Sequence, residues 1–283
     1  MENEKRFYIP MTSKNVLCSI SRKENIEKEL WHEIRQVVKE IKKIAGSLLR
    51  SVVLRGSVAY GGFHKKLSDL DLVIFLKKTD TQMQEKIEQL SVAMSEKYSD
   101  LFSLVDLSVE SFEDIATSIR CHRLWLNLKL TGITVEGEDV IGLLPDCIAD
   151  IDTAKKIYMQ TVMDSEECLA MIQNKQCMQY MGKKRGSEFL CVWYMRNMIR
   201  GFTALILREK GIFTMHLTTC CFEMSRLFPE KRKLIEKVWR AEREPLMSWE
   251  ELRALAESSL AMYQDMWEGM ENAETRNSRN NAI

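Results

Sequence analysis

Hydrophobic and polar positions follow two different periods along the first half of the chain. Residues 52–54 and 72–76 are short apolar runs bounded by polar residues or glycine, a pattern typical of buried strands. Before the first run, apolar residues recur every three to four positions, which is the helical period. They are Ile26, Leu30, Ile34, Val37, Ile41 and Ile44. This helix is predicted to start at a capping box, Ser21 with Glu24, and to end at Gly46.

The next elements continue the alternation of helices and strands. A second helix is predicted to start at Thr79-Asp80, and a third strand to cover residues 101–109. A second capping box, at residues 111–114, predicts a helix that runs with a break to residue 130. Residues 132–139 then predict an edge strand and a turn. The first half is therefore expected to form a small mixed sheet with helices.

The second half has a helical pattern with few glycines and prolines. Five helices are predicted, at 152–174, 186–210, 215–227, 230–242 and 248–270. The helix at 186–210 is apolar on more than one side and is expected to be central. The fold class is therefore α/β (α+β), a small mixed sheet followed by an α-helical bundle. We predict two domains, one with the sheet at 1–147 and a helical one at 148–271, followed by a flexible tail at 272–283.

The loop between the first two strands carries the candidate chemistry. It begins with Gly56-Ser57 directly after a strand and ends with Ser68-Asp69-Leu70-Asp71. Because side chains alternate along a strand, Asp69 and Asp71 are predicted to project from the same face. Two neighbouring carboxylates repel each other unless a cation lies between them, and Mg²⁺ prefers such oxygen ligands. Glycine at the end of the strand lets the backbone come close to a phosphate.

These residues carry a specific resemblance. Gly56-Ser57, Ala59, Gly61 and residues 68–72 resemble the signature of the DNA polymerase β-like nucleotidyltransferase superfamily. Within it, the stretch is most similar to small antibiotic (aminoglycoside-type) nucleotidyltransferases. Tyr60 stands where several antibiotic-modifying relatives carry arginine, so the class of acceptor stays open. The resemblance implies transfer of a nucleoside monophosphate from a nucleoside triphosphate, with ATP as the expected donor, and release of pyrophosphate.

The resemblance also assigns roles to individual residues. Asp69 and Asp71 would hold two Mg²⁺ ions, and a third carboxylate would come from the neighbouring strand. Asp106 is expected to be that metal ligand and the base, since an aspartate inside a run of strand formers is unusual. Glu110 has the same parity along the strand and is the alternative. A water-exposed strand end would also explain Asp106.

Further residues are predicted to bind the nucleotide. Gly56 and Ser57 would contact the β- and γ-phosphates, with Ser68 and Lys65 from the same loop close to them. Arg196, on the helix at 186–210, could reach the triphosphate or the base, although a run of basic residues is usually a solvated face.

Composition excludes several classes of protein. The 283 residues are 45% hydrophobic and 29% charged, which is typical of a globular chain. The formal net charge is zero, which argues against a nucleic-acid partner. The eight cysteines have no zinc-site spacing, and no apolar run approaches 18 residues. A cytoplasmic enzyme without a membrane segment, either a monomer or a homodimer, is expected.

Three functions remain open from the sequence. The first is modification of a small hydroxylated molecule, the second is nucleotidylation of a protein or RNA, and the third is a nucleotide-binding regulator without turnover. The intact pair of Asp69 and Asp71 argues against the regulator. The sequence therefore favours an enzyme with a small, aminoglycoside-like acceptor.

Overall fold

The computed structural model describes residues 6–78, 81–180 and 183–280, which divide into two compact units. The sheet unit contains residues 10–148 together with Tyr180 and Lys183. The helical unit contains the remaining described residues, at 6–9, 149–179 and 184–280. The predicted boundary between residues 147 and 148 thus lies next to the one observed between Ile148 and Ala149.

The sheet unit follows the predicted alternation of helices and strands. Its elements are α1 (Lys28–Ala45), β1 (Leu49–Arg55), β2 (Leu70–Leu76), α2 (Thr81–Lys97), β3 (Val105–Glu110), α3 (Phe112–Thr117), α4 (His122–Thr131), β4 (Ile133–Gly137) and α5 (Val140–Leu143). The strands lie in the order β3-β2-β1-β4. β1 is antiparallel to β2 and β4, whereas β2 and β3 are parallel. The predicted mixed sheet, with β4 at one edge, is confirmed.

Both faces of the sheet are covered, which explains the continuous apolar runs. Leu54 and Leu72 lie on one face and belong to a core that includes residues of α1 and α2. Val53, Val73 and Phe75 lie on the other face, in a smaller core with residues of α3, α4 and α5. Successive strand residues therefore enter different cores, as the period of two requires.

Two predicted boundaries are wrong. α1 begins at Lys28 rather than at the Ser21–Glu24 box, and no side chain caps it. Instead, the Ser21 hydroxyl donates to the Thr131 carbonyl at 2.8 Å, so a tertiary contact replaces the cap. β3 begins at Val105 rather than at residue 101. The N–H groups of residues 101 and 102 both donate to the Tyr98 carbonyl, which keeps this segment in a turn.

Other predicted boundaries are confirmed. α1 ends at Gly46, which has a positive φ of 55°. The Ser111 hydroxyl accepts a hydrogen bond from the Asp114 N–H at 3.2 Å and caps α3. The predicted start of the second helix at Thr79-Asp80 lies outside the described residues.

The second half contains the five predicted helices and one hairpin that was not predicted. The elements are α6 (Ile151–Gln173), β5 (Met178–Tyr180), β6 (Lys183–Arg185), α7 (Ser187–Lys210), α8 (Leu217–Leu227), α9 (Arg232–Arg243) and α10 (Trp249–Asn280). α10 continues to Asn280, beyond its predicted end at residue 270 and through most of the segment that was predicted to be a tail. None of the helices within the described ranges is long and apolar enough to cross a membrane.

α7 is the central helix of the helical unit, as predicted. It packs against α6, α8, α9 and α10. Two buried tyrosines fix it: Tyr194 donates to the Ala256 carbonyl, and Tyr263 donates to the Gly201 carbonyl, both at 2.8 Å. A Cβ at Gly201 would lie 2.3 Å from the methyl group of Thr161, so glycine permits the close approach of α6 and α7.

Residues 6–9 belong to the helical unit, although they precede the sheet in the chain. The Ile9 N–H donates to the Phe213 carbonyl at 2.9 Å, and the Thr214 hydroxyl donates to the Phe7 carbonyl at 2.6 Å. Tyr8 donates to a Glu223 oxygen at 2.5 Å. Residues 6–9 form an N-terminal arm that is held by these hydrogen bonds to the second half of the chain.

Candidate active site

Three neighbouring strands bring three charged side chains together. Arg55, the last residue of β1, is paired with Asp71 of β2, and Asp71 is paired with Asp106 of β3. Residues paired across adjacent strands project from the same face of a sheet. The Nη2 atom of Arg55 lies 3.3 Å from Asp71 Oδ1 and 3.8 Å from Asp106 Oδ2. Asp71 and Asp106, the predicted third carboxylate, are therefore adjacent, and the guanidinium group of Arg55 lies within 4 Å of both.

Asp69 joins this group from the loop directly before β2. The Ser103 hydroxyl donates to Asp69 Oδ1 and is also 3.1 Å from the Leu67 carbonyl. The Leu70 N–H donates to the Leu104 carbonyl at 2.8 Å, which begins the parallel pairing one residue before β3. The segment before β3 thus orients Asp69 in two ways, through the hydroxyl of Ser103 and through the backbone hydrogen bond between Leu70 and Leu104.

Helix α2 fixes the position of Asp106 through hydrogen bonds to the backbone of its two neighbours in β3. The Ser91 hydroxyl donates to the Val105 carbonyl at 2.6 Å and accepts from the Leu107 N–H at 3.2 Å. These two residues flank Asp106, whose side chain points to the opposite face of the sheet. A serine on the apolar face of a helix, between Ile87 and Met94, is the sequence signal that could have indicated this contact.

The carboxylates carry more negative charge than Arg55 balances. The pKa of Asp106 is raised to about 6, first by burial and then by the charge of Asp71, while Arg55 partly offsets this and Asp69 adds to it. The pKa of Glu110 is also raised, mainly by burial. Glu110 is paired with Phe75 rather than with an aspartate. The register therefore favours Asp106 over Glu110 as the third carboxylate.

Tyr180 is a further residue of this region, and no sequence pattern indicated it. It belongs to the sheet unit and is half-buried. Burial raises the pKa of its phenol, and the charges of Asp106, Asp69 and Asp71 raise it further. The phenol is thus protonated at neutral pH and can donate a hydrogen bond near the carboxylates.

The packing around the residue after β1 requires glycine, and this requirement could not be predicted from the sequence. Gly56 has a φ of +77°, and a Cβ there would lie 2.5 Å from Asp71 Oδ2. Its N–H donates to the Thr131 hydroxyl at 3.2 Å. The Ser57 carbonyl accepts from the Gly62 N–H at 2.8 Å, which closes the following turn. Gly56 therefore makes room for the carboxylate of Asp71.

The remaining predicted nucleotide-binding residues lie in different surroundings. Ser68 is buried, and its hydroxyl accepts from the His64 N–H at 2.9 Å, which stabilises the loop. Lys65 is exposed in the same loop. Arg196 belongs to α7 in the helical unit, where its Nε donates to a buried Glu242 oxygen at 2.7 Å.

The donor set is chemically suited to magnesium. Within the described ranges, no group of three or more His, Cys, Asp or Glu side chains has the arrangement of a formed metal site. Asp69, Asp71 and Asp106 nevertheless offer the hard oxygen ligands that Mg²⁺ takes. Burial raises the pKa of Asp106 and the charge of Asp71 raises it further, and a cation bound beside both carboxylates would favour their charged forms. The residues present therefore fit a divalent cation by charge and ligand type.

Comparison with known proteins identifies the domain that contains this group. The family model described as "Nucleotidyltransferase domain" matches residues 33–126, which include β1 to β3 and all three aspartates. This segment is a nucleotidyltransferase domain. The predicted family and enzyme class are thereby confirmed for residues 33–126. No curated protein matches the chain in a sequence comparison.

One solved structure supports the fold of most of the chain. The chain is similar to spectinomycin adenyltransferase AAD(9) from Enterococcus faecialis, solved with ATP and spectinomycin. The sequence identity is 16%, the TM-score is 0.57, and the match covers 83% of this chain and 99% of that one. A toxin–antitoxin structure with AMP-PNP matches 49% of this chain and 95% of its own, with 16% identity and a TM-score of 0.28.

Proposed function

We propose that this chain is a Mg²⁺-dependent nucleotidyltransferase that transfers AMP from ATP to a hydroxyl group of a small, aminoglycoside-like molecule. The observation that carries the proposal is the in-register pair of Asp71 and Asp106, with Asp69 two residues before Asp71. The three carboxylates lie within a matched nucleotidyltransferase domain and share an excess of negative charge. Such a cluster is costly in a purely structural role.

The carboxylates have two tasks in the proposal. Asp69, Asp71 and Asp106 would hold Mg²⁺, which supplies charge neutralisation for the triphosphate when bound. Asp106 also accepts the proton of the acceptor hydroxyl. The oxygen of that hydroxyl then forms a bond to the α-phosphorus, and the bond from this phosphorus to the β-phosphate bridging oxygen breaks. Pyrophosphate leaves with the electron pair of the broken bond.

The loop and α7 are proposed to bind the nucleotide. Gly56 and Ser57 lie directly after β1 and beside Asp71, where the triphosphate would meet the carboxylates. Ser68 keeps the loop closed, and Lys65 offers an exposed positive charge in the same loop. Arg196 of α7 is proposed as a further nucleotide-binding residue. ATP is proposed as the donor because the similar AAD(9) structure contains ATP.

A small acceptor is favoured over nucleic acid for two reasons. The similar adenyltransferase was solved with spectinomycin, a small molecule, and the match spans most of both chains. The formal net charge of this chain is zero, whereas binding of a nucleic acid depends on many contacts of Lys or Arg with phosphates. The acceptor is therefore proposed to be compact and polyhydroxylated.

The test measures pyrophosphate release by the full chain with ATP and Mg²⁺. The panel contains spectinomycin, other aminoglycosides, lincosamides, transfer RNA and a protein lysate, and products are read by mass spectrometry. We expect one small molecule to gain the mass of one AMP group, and Asp71→Asn to abolish this product. A gain in mass on RNA or protein alone would replace the small acceptor with a macromolecule. Tight ATP binding with no product anywhere would contradict the proposed enzyme.

A further inference from the structure

Arg55 is a half-buried cation that lies near two of the carboxylates, and the proposed reaction gives it no role. It is the last residue of β1, directly before Gly56. Its guanidinium group contacts Asp71 and Asp106 through a single nitrogen, Nη2. Its Nε is buried and has no hydrogen-bond partner among the described residues. A buried donor without an acceptor is costly. We therefore expect this Nε–H to donate a hydrogen bond to an acceptor group of a bound ligand.

The charge of Arg55 must affect any cation that the carboxylates bind. An arginine side chain does not lose its proton in a protein, so its charge is permanent. It attracts Asp71 and Asp106 when no metal is bound, and it repels a divalent cation that approaches the same oxygens. The guanidinium group is also well shaped to bind phosphate oxygens through its Nε and Nη groups. A triphosphate would therefore compete with the carboxylates for Arg55.

We propose that Arg55 is an internal counter-ion that couples the binding of the divalent cation to the binding of the nucleoside triphosphate. In the free protein it holds Asp71 and Asp106 together and weakens their affinity for a cation. When the triphosphate binds, Arg55 exchanges its carboxylate contacts for phosphate oxygens, and Asp71 and Asp106 become available to the cation. This inference rests on the proposed function, because it takes the triphosphate as the ligand.

A second arginine on the same strand shows what an ordinary structural pair looks like. Arg50 lies near the other end of β1, and its Nε donates to Glu138 Oε2 at 2.7 Å. Its guanidinium group also lies over the ring of Phe112, at 4.7 Å from the centroid. Unlike Arg55, it uses its Nε and has a partner away from the three aspartates. Arg50→Met is therefore a matched control on the same strand.

The experiment measures binding of Mn²⁺, a paramagnetic substitute for Mg²⁺, by electron paramagnetic resonance on the full chain. Wild type, Arg55→Met, Arg55→Lys and Arg50→Met are compared without nucleotide. We expect Arg55→Met to bind Mn²⁺ about tenfold more tightly or better, because a permanent positive charge near the ligands is removed. Arg55→Lys keeps the charge and should stay near the wild-type affinity, as should Arg50→Met.

The same titrations with a non-hydrolysable ATP analogue test the coupling. The analogue should tighten Mn²⁺ binding strongly in wild type and clearly less in Arg55→Met, since coupling between two ligands is reciprocal. Equal Mn²⁺ affinity of wild type and Arg55→Met, with equal responses to the analogue, would overturn the inference. Circular dichroism verifies folding, and Arg55→Gln replaces Arg55→Met if the latter does not fold.

Failure of the inference and failure of the proposed function are distinguishable. If no variant binds the analogue, the proposed function fails, and the Mn²⁺ titration without nucleotide still decides whether Arg55 opposes the cation. If wild type binds the analogue and modifies a small acceptor but Arg55→Met shows unchanged Mn²⁺ binding, the function stands and the counter-ion role is overturned.

Discussion

Asp71 of β2 and Asp106 of β3 are directly paired on adjacent parallel strands, so their carboxylates project from the same face of the sheet. Two like charges held side by side and half-buried oppose folding unless a positive charge lies near them. Arg55 supplies one such charge, and the pKa of Asp106 is still raised. The repulsion between these carboxylates destabilises the sheet, and the same arrangement favours the binding of a cation.

Removal of either carboxylate should abolish the reaction without unfolding the protein. We expect Asp71→Asn and Asp106→Asn to lower kcat by about a thousandfold or more, since each removes a ligand or base that acts on the reacting group. In EDTA, Asp106→Asn should melt no lower than wild type, because it removes a repulsive charge beside Asp71. Pyrophosphate release and thermal unfolding are the measurements. Substantial turnover by either variant would contradict the assignment.

Glu110→Gln is the matched control for the third carboxylate. Glu110 has the same strand, parity and direction of pKa shift as Asp106, but it is paired with Phe75. We expect its turnover to stay near that of wild type. If Glu110→Gln were inactive and Asp106→Asn active, the functional carboxylate would lie four residues further along β3.

Local patterns were sufficient to predict most of the fold. The apolar runs at 52–54 and 72–76 predicted β1 and β2, and the five helices of the second half begin within a few residues of their predicted positions. Both patterns depend on side chains that are close in sequence, so one chain contains the required information. The Asp69–Asp71 motif is also a local pattern, although β2 begins at Leu70 and Asp69 lies directly before it.

Features that depend on distant contacts could not be predicted. The role of Arg55 requires the register of β1 on β2 and of β2 on β3, which no local pattern contains. Tyr180 is more than 70 positions from Asp106 in the chain, and its hairpin is too short to have a clear period. The predicted helix start at Ser21–Glu24 was wrong for the same reason, because the Ser21 hydroxyl donates to the distant Thr131 carbonyl instead of capping α1.

Gly56→Ala should damage the site by displacing Asp71. An alanine Cβ would lie 2.5 Å from Asp71 Oδ2, and the φ of +77° is unfavourable for alanine. We expect a loss of stability of about 1–2 kcal/mol and a large fall in kcat. Gly269→Ala is the control, because a Cβ there meets no atom within 4 Å and alanine favours the helix. Chemical denaturation and turnover are measured for both variants. Wild-type stability and turnover of Gly56→Ala would contradict the observed packing.

Tyr180→Phe tests whether the phenol contributes to the reaction. Its pKa is raised by burial and by the carboxylates, so it remains a hydrogen-bond donor at neutral pH. Loss of a donor to a charged group costs about 1.5–3 kcal/mol, so we expect kcat/KM to fall by roughly 10- to 100-fold. Tyr98→Phe is the control, since the Tyr98 hydroxyl is buried without a hydrogen-bond partner in the described part of the chain. Equal kcat/KM for both variants would show that the hydroxyl of Tyr180 does not contribute to the reaction.

The ion cluster that anchors the N-terminal arm predicts a dependence of stability on pH. Glu223 is buried and accepts hydrogen bonds from Tyr8 and Lys210, each at 2.5 Å. Burial alone would raise the pKa of Glu223, but these hydrogen bonds outweigh it and lower the pKa below the ordinary value of 4.5. A group with a lowered folded pKa stabilises the protein above its unfolded pKa, and this stabilisation is lost as the pH falls through the folded value.

Glu223→Gln should therefore destabilise the helical unit most at neutral pH. We expect a loss of about 2–4 kcal/mol at pH 7, because Lys210 loses its buried anionic partner. The difference from wild type should shrink as the pH falls below 4.5, where Glu223 itself becomes protonated. Glu257→Gln is the control, since the pair of Glu257 with Arg253 is exposed and surface pairs contribute little. Thermal unfolding between pH 7 and pH 3 measures all three proteins, and a difference that stayed constant or widened towards acid would show that the charge of Glu223 does not hold the arm.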